Sequence, residues 1–135
     1  MWISELWRYP VKSMGGERLE SVTLNEDGLE GDRVVHVSGG KDRVLTSRSK
    51  PRLLGHKATL GADGEPRVDG LLWTDQAVAG AVREAAGAAA RLVRYDGGER
   101  FDILPLLVAT DGAIRALVAT SDGFDPTSSS TVSTV

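Results

Sequence analysis

At 135 residues the chain can bury one core of useful size and is too short for two domains. With 41% hydrophobic and 26% charged residues it falls among packed globular proteins, outside the disordered and fibrous classes. A net charge of -3 gives no electrostatic reason to expect nucleic acid, and the absence of cysteine excludes disulfides, thiolate metal sites and a thiol nucleophile.

The charge is unevenly placed. Residues 1–60 carry ten Lys or Arg against eight Asp or Glu, and residues 61–135 carry six against eleven, so the halves stand at +2 and -5. A mildly basic first half suits a local anion site, although a difference this small also arises by chance. No apolar run approaches the ~18 residues of a membrane-spanning helix. The start Met1-Trp2-Ile3-Ser4-Glu5 lacks the basic end and apolar stretch of a signal peptide. A cytoplasmic protein without a membrane partner is expected.

In chain order, the first sixty residues read as short strands between turns, the pattern of a barrel or sandwich. Trp2 to Tyr9 is rich in aromatic and β-branched residues and stops at Pro10, which has no N–H to give to a ladder. Leu19 to Leu24 is the next predicted strand, closed by the turn Asn25-Glu26-Asp27-Gly28. Asp32 to Val37 and Arg43 to Ser47 flank the turn Ser38-Gly39-Gly40-Lys41-Asp42 and are expected to pair. Leu53 to Leu60 reads as a further strand before the polar turn Gly61 to Pro66.

The period then changes. Val78, Ala81, Val82 and Ala85 recur at helical spacing after Thr74 or Asp75 as N-cap, and Gly87 sits where a helix ends, so a helix near 75–87 is predicted. Arg91 to Tyr95 reads as a strand, Asp96 to Glu99 as a turn, and Asp111 to Val118 as a second helix capped by Thr110. From Thr120 the chain has nine Ser or Thr in sixteen residues and few large apolar groups, and a flexible tail over 120–135 is expected after a domain over 1–119.

Chemistry is suggested first by Tyr9-Pro10-Val11-Lys12-Ser13-Met14-Gly15-Gly16, where a cation, a hydroxyl and two glycines follow a strand end. Glycine lets backbone N–H groups approach an oxyanion, Lys supplies charge and Ser a directional donor. The Lys-Ser pair precedes the glycines, so this is no Walker A loop; on residue types alone, a strand-ending turn with an exposed Lys is the plainer reading. Arg33 follows Gly31-Asp32 at a strand start, and Thr46 and Arg48 share a strand face if the extended chain persists that far. Arginine's planar fork suits phosphate or carboxylate, but each arginine alone also suits a surface ion pair. His36 and His56 stand twenty residues apart without a clustered partner and read as strand residues, not ligands or bases. Glu26, Asp27 and Glu30 lack calcium-loop spacing, and Trp2, Trp7 and Trp73 read as core or rim aromatics.

Taken together, the segments Tyr9 to Ser13, Gly28 to Arg33 and Thr46 to Leu53 match, in order and spacing, the Tyr-Pro-Val-Lys-Ser, Gly-x-x-Gly-Asp-Arg and Thr-x-Arg-x-x-Pro-x-Leu elements of the MOSC family. The chain resembles that family's amino-terminal barrel over about residues 2 to 118, including an Asp-x-x-Pro segment at Asp102 to Pro105. The resemblance implies a mainly β, barrel-like domain with two helices, incomplete at its carboxy-terminal end, and a link to the molybdenum cofactor (molybdopterin). It implies that Lys12, Ser13 and Arg33 hold the phosphate end of the pterin, with Arg48 reaching the pterin or bracing Asp102, or with either of these two simply holding the barrel together. The family's Arg-Pro-Asn element and its later cysteine have no counterpart here, and no metal ligand is assigned.

Three readings are open. One is a binding module for a phosphorylated small molecule, without chemistry of its own. The alternative is a partial or truncated MOSC enzyme of molybdenum-cofactor sulfur transfer or molybdenum-dependent reduction; a barrel without a ligand is the third. A domain that stops midway is expected to leave edges and apolar surface uncovered, favouring a homo-oligomer or a partner chain that completes the barrel.

Overall fold

A computed structural model describes residues 2–96 and 106–120. The expected tail beyond residue 120 lies outside the described residues, as do most of the turn after Asp96 and the Asp102 to Pro105 segment. The described part is mainly β with two helices, arranged as four small antiparallel sheets. Strands β1 (Leu6–Arg8) and β2 (Glu17–Leu19) form one pair, and β3 (Leu24–Asn25) and β4 (Gly28–Leu29) another. Strand β5 (Val35–Ser38) lies between β6 (Val44–Leu45) and β10 (Arg91–Arg94). The fourth sheet is β7 (Ala58–Leu60), β8 (Pro66–Val68) and β9 (Leu71–Leu72).

No sheet closes on itself among the described residues, so the closed barrel is not seen. Barrel closure needs an unbroken ladder around the whole circuit. Here the sheets meet through single parallel bridges, Val11 to Val35 and Gly15 to Lys57. Pro10 interrupts the first of these junctions because it cannot donate; its carbonyl instead accepts from the Val35 N–H at 3.2 Å.

Several predicted elements are found and several move. Helix α1 spans Gln76–Ala86, with Asp75 accepting the Ala77 N–H and Gly87 at φ +114 ending it. Its stripe Val78, Val82, Ala86 is buried against Leu53 and the β5 valines, forming the core. Helix α2 spans Asp111–Thr120, with the Ala113 N–H bound to the Thr110 hydroxyl at 3.2 Å.

The strand expected over Leu53 to Leu60 begins only at Ala58, because Pro51–Gly55 is a short 3-10 helix with Pro at its start and Leu53 as its one buried residue. His56 caps that helix and is not a strand residue. The strand expected over Leu19 to Leu24 is split between the ends of β2 and β3. Trp2 is 82% exposed, against the expected core or rim place, whereas Trp73 packs on the core and donates to Glu65 at 2.8 Å.

Candidate anion-binding site

The Tyr9 to Gly16 segment is organised by two turns and a bridge. The Met14 N–H donates to the Val11 carbonyl at 3.3 Å, closing a turn whose third residue, Ser13, has φ +71. That position favours glycine or asparagine, so a serine there is held by its surroundings. Val11 and Met14 anchor the turn from below, at 0% and 2% exposure. The half-buried Lys12 and Ser13 occupy its crest. Among the described residues neither the Ser13 N–H nor its hydroxyl has a hydrogen-bond partner.

The Arg33 segment runs alongside. The Arg33 N–H donates to the Tyr9 carbonyl at 2.6 Å, and the Lys12 N–H to the Val35 carbonyl at 2.9 Å. The backbone from Tyr9 to Lys12 therefore runs beside that from Arg33 to Val35. The side chains are differently employed. Arg33 is 5% exposed, pairs through Nη1 with the Asp32 carboxylate and lies with Cζ 5.7 Å from the centre of the Tyr9 ring. Its charge is thus largely met by Asp32, itself 1% exposed and accepting the Tyr9 N–H at 2.7 Å.

Burial pushes the Asp32 carboxyl above its ordinary pKa, against the pull of Arg33 and of the Tyr9 N–H. Burial likewise raises the Tyr9 phenol, with Arg33 opposing. The expected strand over Asp32 to Val37 starts only at Val35, since Arg33 has φ +48. In an extended chain Asp32 and Arg33 would point to opposite faces; the left-handed turn at Arg33 brings them together.

Arg48 does not continue a strand. Thr46 accepts the Ser49 and Lys50 N–H groups at 3.1 and 2.9 Å, so the chain turns and Thr46 and Arg48 do not share an extended face. Arg48 is exposed on that turn, and Asp102, its expected partner, lies outside the described residues.

His36, expected as an ordinary strand residue, lies beside the Lys12 turn. His36 follows Val35 on β5, is 9% exposed, and its ring stacks on Tyr95 with centroids 4.2 Å apart. Its Nδ1 is the one buried side-chain nitrogen or oxygen without a hydrogen-bond partner among the described residues. Burial, and then the Lys12 charge, hold its pKa below the ordinary value, while Asp96 pulls the other way. No sequence spacing announces this, because it depends on the parallel register of Val11 with Val35.

A concave feature of about 510 Å³ lies between the 3-10 helix and α1 and is lined by Pro51, Arg52, His56, Ala81 and Glu84. Its Arg52 stands 3.6 Å from Glu84, and its His56 holds Asp69 through Nδ1 at 2.7 Å. Its charged groups are thus paired with one another or with Asp69.

No helix among the described residues is long and apolar enough to cross a membrane. The family model described as the MOSC N-terminal beta barrel domain matches residues 1–93, which take in the Lys12 turn, Arg33, His36 and α1 but stop before Asp102. No curated protein matches the chain.

Proposed function

Since the chain belongs to the MOSC N-terminal beta barrel domain family, we propose that it binds a phosphorylated pterin, or a closely similar phosphate monoester, at the Lys12-Ser13 turn. The observation that carries this reading is Ser13: at φ +71, it presents an N–H and a hydroxyl with no partner among the described residues, directly after a lysine. Two donors on one residue next to an ammonium suit the acceptor oxygens of a phosphate. Gly15 and Gly16 add no donor to the site, because the Gly15 N–H is held by the His56 carbonyl at 2.8 Å and Gly16 is closed in by Arg8 and Tyr9. Arg33 acts here as a positioning residue, since its N–H holds Tyr9 and its guanidinium holds Asp32.

The MOSC family is linked to the molybdenum cofactor, and the residues present fit one end of that group only. The Lys12 turn suits the phosphate. The metal end finds no thiolate, as the sequence has no cysteine, and no three His, Asp or Glu side chains gather among the described residues. No step through a metal is derived for this chain.

The test is calorimetric titration with a metal-free phosphorylated pterin. Lys12→Ala is expected to weaken binding about tenfold or more, and Ser13→Gly, which keeps the positive φ and deletes the hydroxyl, about threefold to tenfold. Equal affinities across wild type and both variants, or no binding by wild type, would remove the proposal.

A further inference from the structure

Strand β5 has two faces. Val35 and Val37 are fully buried in the core, and His36 and Ser38 point to the opposite side. Val11 bridges Val35 in parallel register and the Lys12 N–H donates to the Val35 carbonyl at 2.9 Å, so the Lys12 turn starts beside the peptide that leads into His36. The imidazole is thus a neighbour of the candidate anion site on a different element from Lys12. It is more than nine-tenths buried and carries a ring nitrogen that nothing in the described protein satisfies.

An unsatisfied buried nitrogen is uncommon and disfavoured, and its persistence calls for a use. Among the described residues, the groups that face the ring are Lys12 from the turn, and Tyr95 and Asp96 after β10; β10 itself sets Val93 across from His36 and Arg91, ion-paired with Asp42, across from Ser38, and β6, on the other edge of β5, brings Val44 and Leu45. Burial, then the Lys12 charge, favour the neutral ring, and Asp96 opposes them without reversing the balance.

We infer that His36 is a member of the Lys12 anion site and takes up a proton from solvent when an oxyanion is bound there. The inference rests on the reading of Lys12 and Ser13 as anion ligands. An anion at Lys12 cancels the repulsion between the ammonium and an imidazolium and adds an attraction of its own, so the protonated ring becomes the favoured form. Binding and protonation then promote each other by the same factor. The site would prefer oxyanions in mildly acid solution, and its ligand class is the multiply charged oxyanion, not the monocarboxylate, because two positive groups then face it.

Sulfate is the probe, since it does not titrate in this range whereas a phosphate monoester does, near pH 6. Sulfate is titrated into the full chain by calorimetry between about pH 7.5 and 5, in buffers of different ionisation enthalpy, with the His36 ring followed by NMR. The expected result is fractional proton uptake, a His36 pKa raised by about one unit at saturation, and an affinity up to about tenfold higher at the acid end. In His36→Leu, sulfate should bind with an affinity that no longer depends on pH.

If wild type binds sulfate with pH-independent affinity and an unmoved His36 ring, the inference is overturned and the Lys12 reading stands. Proton uptake that persists in His36→Leu, traced by NMR to His56, overturns it equally. Absence of sulfate binding at every pH, together with absence of phosphorylated-pterin binding, overturns both.

Discussion

Tyr9 and Asp32, 23 residues apart, are joined by a 2.7 Å hydrogen bond from the Tyr9 backbone N–H to the Asp32 carboxylate, whose other oxygen meets Arg33. This bond fixes the end of the first strand against the segment that supports the Lys12 turn. Asp32→Ala would leave the Arg33 charge, at 5% exposure, without its carboxylate. Removing one partner of a buried pair is expected to cost about 3–5 kcal/mol. Urea unfolding should show that loss in the single variant and a smaller one in Asp32→Ala combined with Arg33→Met, where no buried charge is stranded. A single variant as stable as wild type would contradict the pairing.

Gly16 is fully enclosed. A Cβ there would fall on the Arg8 carbonyl oxygen and 2.7 Å from Tyr9 Cδ1. Gly16→Ala is expected to destabilise the chain by about 1–3 kcal/mol through overpacking. Gly55→Ala, where a Cβ meets nothing within 4 Å, should stay within about 0.5 kcal/mol of wild type. Thermal unfolding of the two variants side by side checks the contrast.

Leu53 and Leu54 are adjacent and opposite in fate. Leu53 is 0% exposed in the core beneath α1 and Leu54 is 53% exposed. Leu53→Ala is expected to cost about 2–5 kcal/mol and Leu54→Ala about 0.5 kcal/mol or less. Equal losses in chemical denaturation would place the 3-10 helix wrongly on the core.

Stability should also depend on pH through His36. Its folded pKa lies below the ordinary 6.5, first from burial and then from Lys12. Once pH falls below about 6.5 the unfolded chain takes up a proton that the folded chain refuses, so stability drops as pH falls toward the folded value; above about 6.5 this residue contributes no slope. Between pH 7.5 and 5.5, wild type is expected to lose up to about 1 kcal/mol more than His36→Leu. Parallel losses in urea titrations at the two pH values would count against the lowered pKa.

What the sequence discloses and what it withholds divide along the range of the interactions. Helix α1 was legible because its stripe, its Asp75 cap and its Gly87 stop are all local. The pairing of β5 with β6 follows from two apolar runs around a glycine turn. The 3-10 helix at Pro51–Gly55 was hidden by Leu53-Leu54, an apolar pair that suits a strand equally well until burial separates its members. The β8 to β9 hairpin carries a local signal: Asp69-Gly70, with φ +51 and +87, is an Asp-Gly pair of the kind that favours two-residue hairpin turns.

In the candidate site, the Lys12-Ser13 pair and Arg33 stand out as motif residues, but the burial of Arg33 on Asp32 depends on the left-handed turn at Arg33. The orphaned nitrogen of His36 depends on tertiary cover and on a parallel register that no sequence period encodes.

The most direct test of the anion site is to record backbone amide and His36 ring NMR spectra of the full chain at fixed pH while inorganic phosphate is added. Binding at the turn predicts saturable shifts concentrated at Lys12 to Gly16 and at Val34 to Val37, reduced in Lys12→Ala. Shifts confined to the groove beside Arg52 and His56, or none that saturate, would contradict it.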